Sequence, residues 1–159
     1  MFVREWVCPI EGGRVRVDGH GLGKFMASRE GGQRLHLGVD ITGEPGCLVL
    51  MPADGVILRE SFPYLKNTEW RGALIQVNNL QINMFYMVLY SGLLGTRVKA
   101  GTPIGVLQDI SRKYPANMLM GKMLPHLHMQ VSVMALHGVV QGQPTGSDVF
   151  IDPGIFFSF

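Results

Sequence analysis

An all-β domain, mainly antiparallel, is the fold class this sequence predicts, and three observations predict it. Glycine and proline, 21 and 9 residues of 159, punctuate the chain every dozen residues or so. Between them lie short runs that are β-branched or alternate apolar with polar residues. No stretch sustains the 3.6-residue periodicity of a long amphipathic helix.

Each run reads as strand for a local reason. GRVRVDG alternates, and CLVLMPADGVILRE is two apolar runs about Ala53-Asp54-Gly55, a natural hairpin turn. ALIQVNNLQINMFYMVLYSG folds back at Asn78-Asn79-Leu80, a second hairpin turn. VKAGTPIG, within TRVKAGTPIGVLQ, makes a tight turn between two strands. DISRKYPANMLMGKM holds at most one short helical turn, because Pro115 and Gly121 limit it, and forms a rim loop before HLHMQVSVM. The apolar tail VFIDPGIFFSF docks on the body, with Asp152 as a turn residue.

Residues 1–159 suit one domain, long enough to bury about 70% of its unfolded surface. A formal charge of +2 and the lack of a basic run give no support to nucleic acid or an anionic membrane as partner. The longest apolar stretch falls short of the roughly 20 residues of a membrane span. Arg4, Glu5 and Pro9 stand where the apolar core of a secretory signal would lie, so no signal peptide is visible. Cys8 and Cys47 allow one disulfide or two unpaired thiols, and no cysteine zinc cluster.

The chemistry concentrates in LPHLHMQV. On a strand, His126, His128, Gln130 and Ser132 face one way and Leu127, Met129, Val131 and Val133 the other. Two imidazoles on one face suit a single small object such as a metal and its water. HLGVD adds His36 and Asp40. Two imidazoles and a carboxylate, with water in the fourth position, are a recurring catalytic zinc set, and zinc there lowers the pKa of its water toward about 7. A further histidine then shuttles a proton or stabilises an oxyanion.

In order, GLGKFMASREGGQRLHLGVDI, PGCLVLMPADGVI, VKAGTPIG, PHLHMQV and IDPGIFF resemble the blocks of lysostaphin-type (LytM-like, duplicated hybrid motif) zinc metalloendopeptidases, over nearly the whole chain. HGLGKFMASR, NMFYM and KYP are similar to blocks of leukocyte cell-derived chemotaxin 2, a secreted type of member that binds zinc without known peptidase action. The resemblance implies a β-sandwich of the lysostaphin/LytM type with a zinc groove. It implies one zinc ion on His36, Asp40 and His128, with His126 as the catalytic histidine. It further implies an extracytoplasmic or secreted location, and peptidoglycan peptides or other peptides or glycans as partners.

Active members carry another histidine in a Tyr-x-His-Leu block. Here Tyr90-Ser91-Gly92-Leu93 stands in that block, with Gly92 at the histidine. His20 and His137 are too far along the chain to align with it. A water, or the hydroxyl of Tyr86 or Tyr90, is the available partial substitute. Losing one such group costs about 100- to 1,000-fold in rate, while zinc binding survives. Arg29 is a candidate for binding a substrate carboxylate or carbonyl, or a structural ion pair. Gln130 is a candidate to hold an imidazole from outside the ligand set, or part of a solvent face. Two functions follow: a zinc metalloendopeptidase cutting peptidoglycan cross-bridges or stems, or a zinc-binding recognition protein of the chemotaxin type with impaired catalysis.

Overall fold

The computed structural model describes residues 6–140 and 143–159, with the backbone alone for 135–140 and 143–145. Arg4, Glu5 and the His137 side chain therefore lie outside the described residues. Two sheets and two small ribbons account for the strands. The ribbons come first: β1 (Val17–Asp18) pairs with β2 (Gly21–Leu22), and β3 (Ser28–Arg29) with β4 (Arg34–Leu35). Next along the chain are β5 (Val39–Thr42), β6 (Leu48–Leu50), β7 (Gly55–Ser61), β8 (Gly72–Val77), β9 (Leu80–Phe85) and β10 (Met87–Leu89). Then follow β11 (Arg97–Val98), β12 (Pro103–Leu107), β13 (His126–Val140) and β14 (Gln143–Ile151).

The larger sheet has seven strands in the order β11-β7-β8-β9-β13-β14, with β5 also on β13; the smaller runs β10-β12-β6. Every pairing is antiparallel. The core fills the space between them. Ile57, Ile75, Ile82, Leu127 and Met129 of the larger sheet and Val49, Met87 and Ile104 of the smaller are all 0% exposed. At about 25 cal/mol per Å² of apolar surface removed from water, each such side chain contributes roughly 1.5–3 kcal/mol.

The two expected hairpin turns part company. Val77 and Leu80 are paired across Asn78-Asn79, a two-residue turn in which Asn78 takes φ +52°. Ala53-Asp54-Gly55 closes no hairpin. β6 pairs with β12 and β7 with β8, so that turn carries the chain from one sheet to the other. Asp54 caps the neighbouring VKAG turn instead, accepting from the Ala100 N–H at 2.8 Å. The two features are both turn-rich in composition, and only tertiary pairing separates them.

The described residues contain only 3-10 turns, among them Ile110–Lys113 in the rim segment. The tail packs as expected: Phe157 is buried in the core and Phe156 stacks on Trp6 with centroids 4.0 Å apart. Asp152 caps the final 3-10 turn by accepting from the Gly154 N–H. Cys8 and Cys47 are free thiols, both half-buried against the core, and the Cys8 thiol donates to the Ile10 carbonyl. Burial pushes both thiols above the usual cysteine pKa.

Candidate metal centre

Strand register builds the site. β13 is flanked on one side by β9 and on the other by β5, and His128 faces both Asp40 and Phe85 across the ladders. Directly opposite residues of an antiparallel pair share a face with their Cβ atoms about 5 Å apart, so Asp40 and His128 meet by register alone. His36 lies just ahead of β5. Gly38 carries the chain between them, and a Cβ there would collide with the Met129 carbonyl and crowd the His128 ring. Only glycine lets HLGVD lie this close against β13.

The result is three ligand atoms converging on one point. His36 Nε2 lies 3.0 Å from both Asp40 Oδ1 and His128 Nδ1, and His128 Nδ1 lies 2.8 Å from the same Oδ1. His36 gives its Nδ1 proton to the Lys24 carbonyl at 2.9 Å, which leaves a lone pair on the facing Nε2. Two ring nitrogens and a carboxylate oxygen aimed at each other are the donor set of a cation. The residues fit zinc in type and number. His36 and Asp40 are buried, and the cleft above them measures about 430 Å³.

The remaining carboxylate oxygen is held from behind. Asp40 Oδ2 accepts from Arg16 Nη2 at 3.0 Å and Nε at 3.2 Å, and Arg29 Nη2 stands 3.5 Å away. Arg16 is 2% exposed and also pairs with Asp18 at 2.6 Å. Burial alone would raise the Asp40 pKa, but the neighbouring His128, His36 and His126 hold it well below the usual carboxylate range. Burial likewise depresses the two strand histidines, His126 to about 4, with Asp40 opposing. Both imidazoles are neutral at pH 7.

His126 stands beside the ligand set. Its Nδ1 proton goes to the Leu124 carbonyl at 2.7 Å, and its Nε2 faces Asp40 Oδ1 at 3.8 Å. The side chain opposite it is Tyr86, edge-on with ring centroids 5.6 Å apart. Gly92 and Tyr90 are both absent from the cleft wall. Gly92 occupies the turn after β10 with φ +84° and open space where a Cβ would be. The Tyr90-to-Leu93 block therefore does not occupy the place across from His126; Tyr86 does. Arg29 and Gln130 line the cleft. Arg29 is ion-paired to Asp40, and Gln130 makes no hydrogen bond to either imidazole among the described residues.

The sequence assigns no role to three participants, although Tyr114 lies in the KYP block. Arg16 lies in the alternating run GRVRVDG, which reads only as a short strand. Tyr64 and Tyr114 join the cleft from separate loops, Tyr64 bonding through its hydroxyl to Tyr86 and to Tyr114 at 3.2 Å each. Burial pushes all three phenols up to about 12, so each remains a proton donor at neutral pH.

No family model matches the chain. Among solved structures, Csd3 of Helicobacter pylori superposes with a TM-score of 0.60 at 20% identity, over 97% of this chain and 35% of that one. A zinc-containing peptidase from Vibrio cholerae superposes at 0.54 and 18% identity, over 90% and 39%. This chain thus spans 35% and 39% of those two chains, and the likeness establishes the fold. Bovine leukocyte cell-derived chemotaxin-2 is 33% identical over 116 residues, 71% of this chain and 69% of the relative. The chain belongs to the lysostaphin-type family. Within this lysostaphin-type chain the His-x-x-x-Asp and His-x-His motifs meet in space. The family's metallopeptidase fold is present, with a His36-Asp40-His128 group able to hold a metal.

Proposed function

We propose that the chain binds one zinc ion through His36, Asp40 and His128 and hydrolyses peptide bonds, with peptidoglycan cross-bridge or stem peptides as the substrate class. The observation that carries this is the convergence of three lone-pair donors within 3.0 Å of one another. Zinc bound there supplies Lewis acidity. His126, neutral and with its Nε2 turned toward the ligand set, accepts a proton from the attacking water and passes it to the departing amine. Tyr86, protonated and opposite His126, donates to the oxygen that becomes negative. Arg16 and Arg29 keep the Asp40 carboxylate oriented. The domain extends over residues 1–159, and the location is extracytoplasmic.

A second reading is favoured by one observation. A phenol, Tyr86, is the ring set edge-on to His126, and chemotaxin-2 is a relative of this chain. In that reading the zinc centre stabilises a surface that recognises a receptor, peptide or glycan without cutting it.

Mass spectrometry of purified peptidoglycan decides between them. Zinc-loaded protein should create new peptide termini that vanish on chelation and in His128→Ala. Intact cross-bridges from several wall types, with one zinc per chain, favour the binder.

A further inference from the structure

We propose that Tyr64 is the positioning residue of this centre: it fixes the Tyr86 hydroxyl so that its proton points into the cleft, and the target is a tetrahedral oxyanion. This rests on the zinc reading above and adds to it a residue that no motif marks.

Tyr86 itself is placed under constraint. It takes φ +70°, a left-handed backbone that bulky L residues rarely adopt. The backbone brackets it on three counts. Tyr86 N–H and Met87 N–H both donate to the Arg71 carbonyl, at 2.7 and 3.1 Å, and Gln108 N–H donates to the Tyr86 carbonyl at 2.8 Å. Strain that a surrounding structure overdetermines points toward function. Here it sets the ring, at the single residue joining β9 to β10, against His126, with Trp70 edge-on at 6.4 Å on another side.

A ring fixed this way leaves one freedom, rotation of the hydroxyl about its C–O bond. Tyr64 removes it. Each phenol has one proton to give, and Tyr64 sits in the middle of the chain Tyr114–Tyr64–Tyr86. If Tyr86 gave its proton to Tyr64, nothing would remain for the cleft. The ammonium of Lys113 lies 4.2 Å over the Tyr64 ring and 6.0 Å from the Tyr114 ring. A cation on its face draws density from the Tyr64 ring and makes that hydroxyl the better donor. The chain therefore runs from Tyr64 to Tyr86, and the Tyr86 proton is left for a ligand.

The test needs no turnover. Zinc-loaded full-length chain is titrated calorimetrically with a phosphinic analogue of diglycine, whose tetrahedral anion mimics the attacked peptide bond, after zinc content is measured for every variant. Tyr86→Phe should weaken binding about 10-fold or more, and Tyr64→Phe, which keeps the ring under Lys113, about 3- to 10-fold. The double variant should match Tyr86→Phe within about twofold, because Tyr64 acts only through it. Zinc content and melting temperature should be unchanged throughout. If Tyr64→Phe binds the phosphinate like the parent, or if the two penalties multiply, Tyr64 has no positioning role. A parent that holds zinc and ignores the phosphinate also overturns the proposal, and one that takes up no zinc overturns the metal reading beneath it.

Discussion

The segment from Arg14 to Asp40 and the three-strand block β7-β8-β9 are stabilised by different physics. The block has strands of six or seven residues in long ladders, with one register shift between Ile57 and Arg59, and Ile57, Ile75 and Ile82 are sealed in the core. In the segment, β1 to β4 have two residues each. Its order comes from single backbone bonds onto β5, such as Asp40 N–H to the Gly23 carbonyl, and from the buried Arg16 bridging Asp40 and Asp18. The metal centre sits on the boundary: His126 and His128 come from the regular sheet, His36 and Asp40 from the edge of the irregular segment. One side supplies fixed positions, and the other depends on its charges being satisfied.

The largest effect should follow from breaking the charged side. Asp40→Ala leaves the buried Arg16 with Asp18 alone and its Nε and Nη2 without an acceptor, and removing one partner of a buried pair costs about 3–5 kcal/mol. Urea unfolding should show that loss, and metal analysis should show zinc uptake abolished. Met129→Ala, on the same strand as His128 but facing the core, should cost about 2–5 kcal/mol by leaving a cavity. It should still bind one zinc. If Met129→Ala loses zinc as fully as Asp40→Ala does, the two regions are not separable in this way.

Acid sharpens the comparison. For His126 and His128 the folded chain binds fewer protons than the unfolded chain between the depressed folded value, about 4 for His126, and the unfolded value of about 6.5. Stability therefore rises with pH in that interval. It is fully present above about 6.5 and is lost as pH falls toward about 4, where His126 itself takes up a proton. Chelated protein should show this fall in melting temperature between those limits. The zinc-loaded chain should begin more stable and lose its advantage as acid frees the metal. A flat profile from pH 7 to 5 in chelated protein would contradict the burial of these imidazoles.

What could be read from the sequence follows the same division. Alternation over the first eight residues of β13 is strict, so the two faces of HLHMQV are legible, and Leu127, Met129 and Val131 are indeed sealed. Tertiary pairing is not legible: the Ala53-Asp54-Gly55 turn looks like a hairpin and instead changes sheets. His36 and Asp40 are readable as a motif, but the reason they converge is Gly38 lying against the Met129 carbonyl, a contact 91 positions away in the chain. Arg16 in its alternating run carries no local sign of burial. Tyr64 meets Tyr86, and Tyr114 meets Tyr64, through loop packing that leaves no periodic trace.

Gly92 gives the smallest effect and the sharpest separation of sequence block from spatial place. Similarity to the Tyr-x-His-Leu block puts the absent histidine there, yet the ladder that pairs Phe85 with His128 brings the next residue, Tyr86, to the site. Gly92→Ala should cost about 1–2 kcal/mol, the ordinary penalty of a left-handed backbone for an L side chain, since its Cβ would meet open space. Gly92→His should pay the same and leave any peptidoglycan hydrolysis unchanged. Tyr86→His should restore an imidazole opposite His126 and raise hydrolysis about 10-fold or more over the parent. Parallel assays of the two histidine variants by release of peptide termini would decide the matter. A gain in Gly92→His with none in Tyr86→His would return the functional position to the turn, and would mean that segment closes over the cleft when substrate is bound.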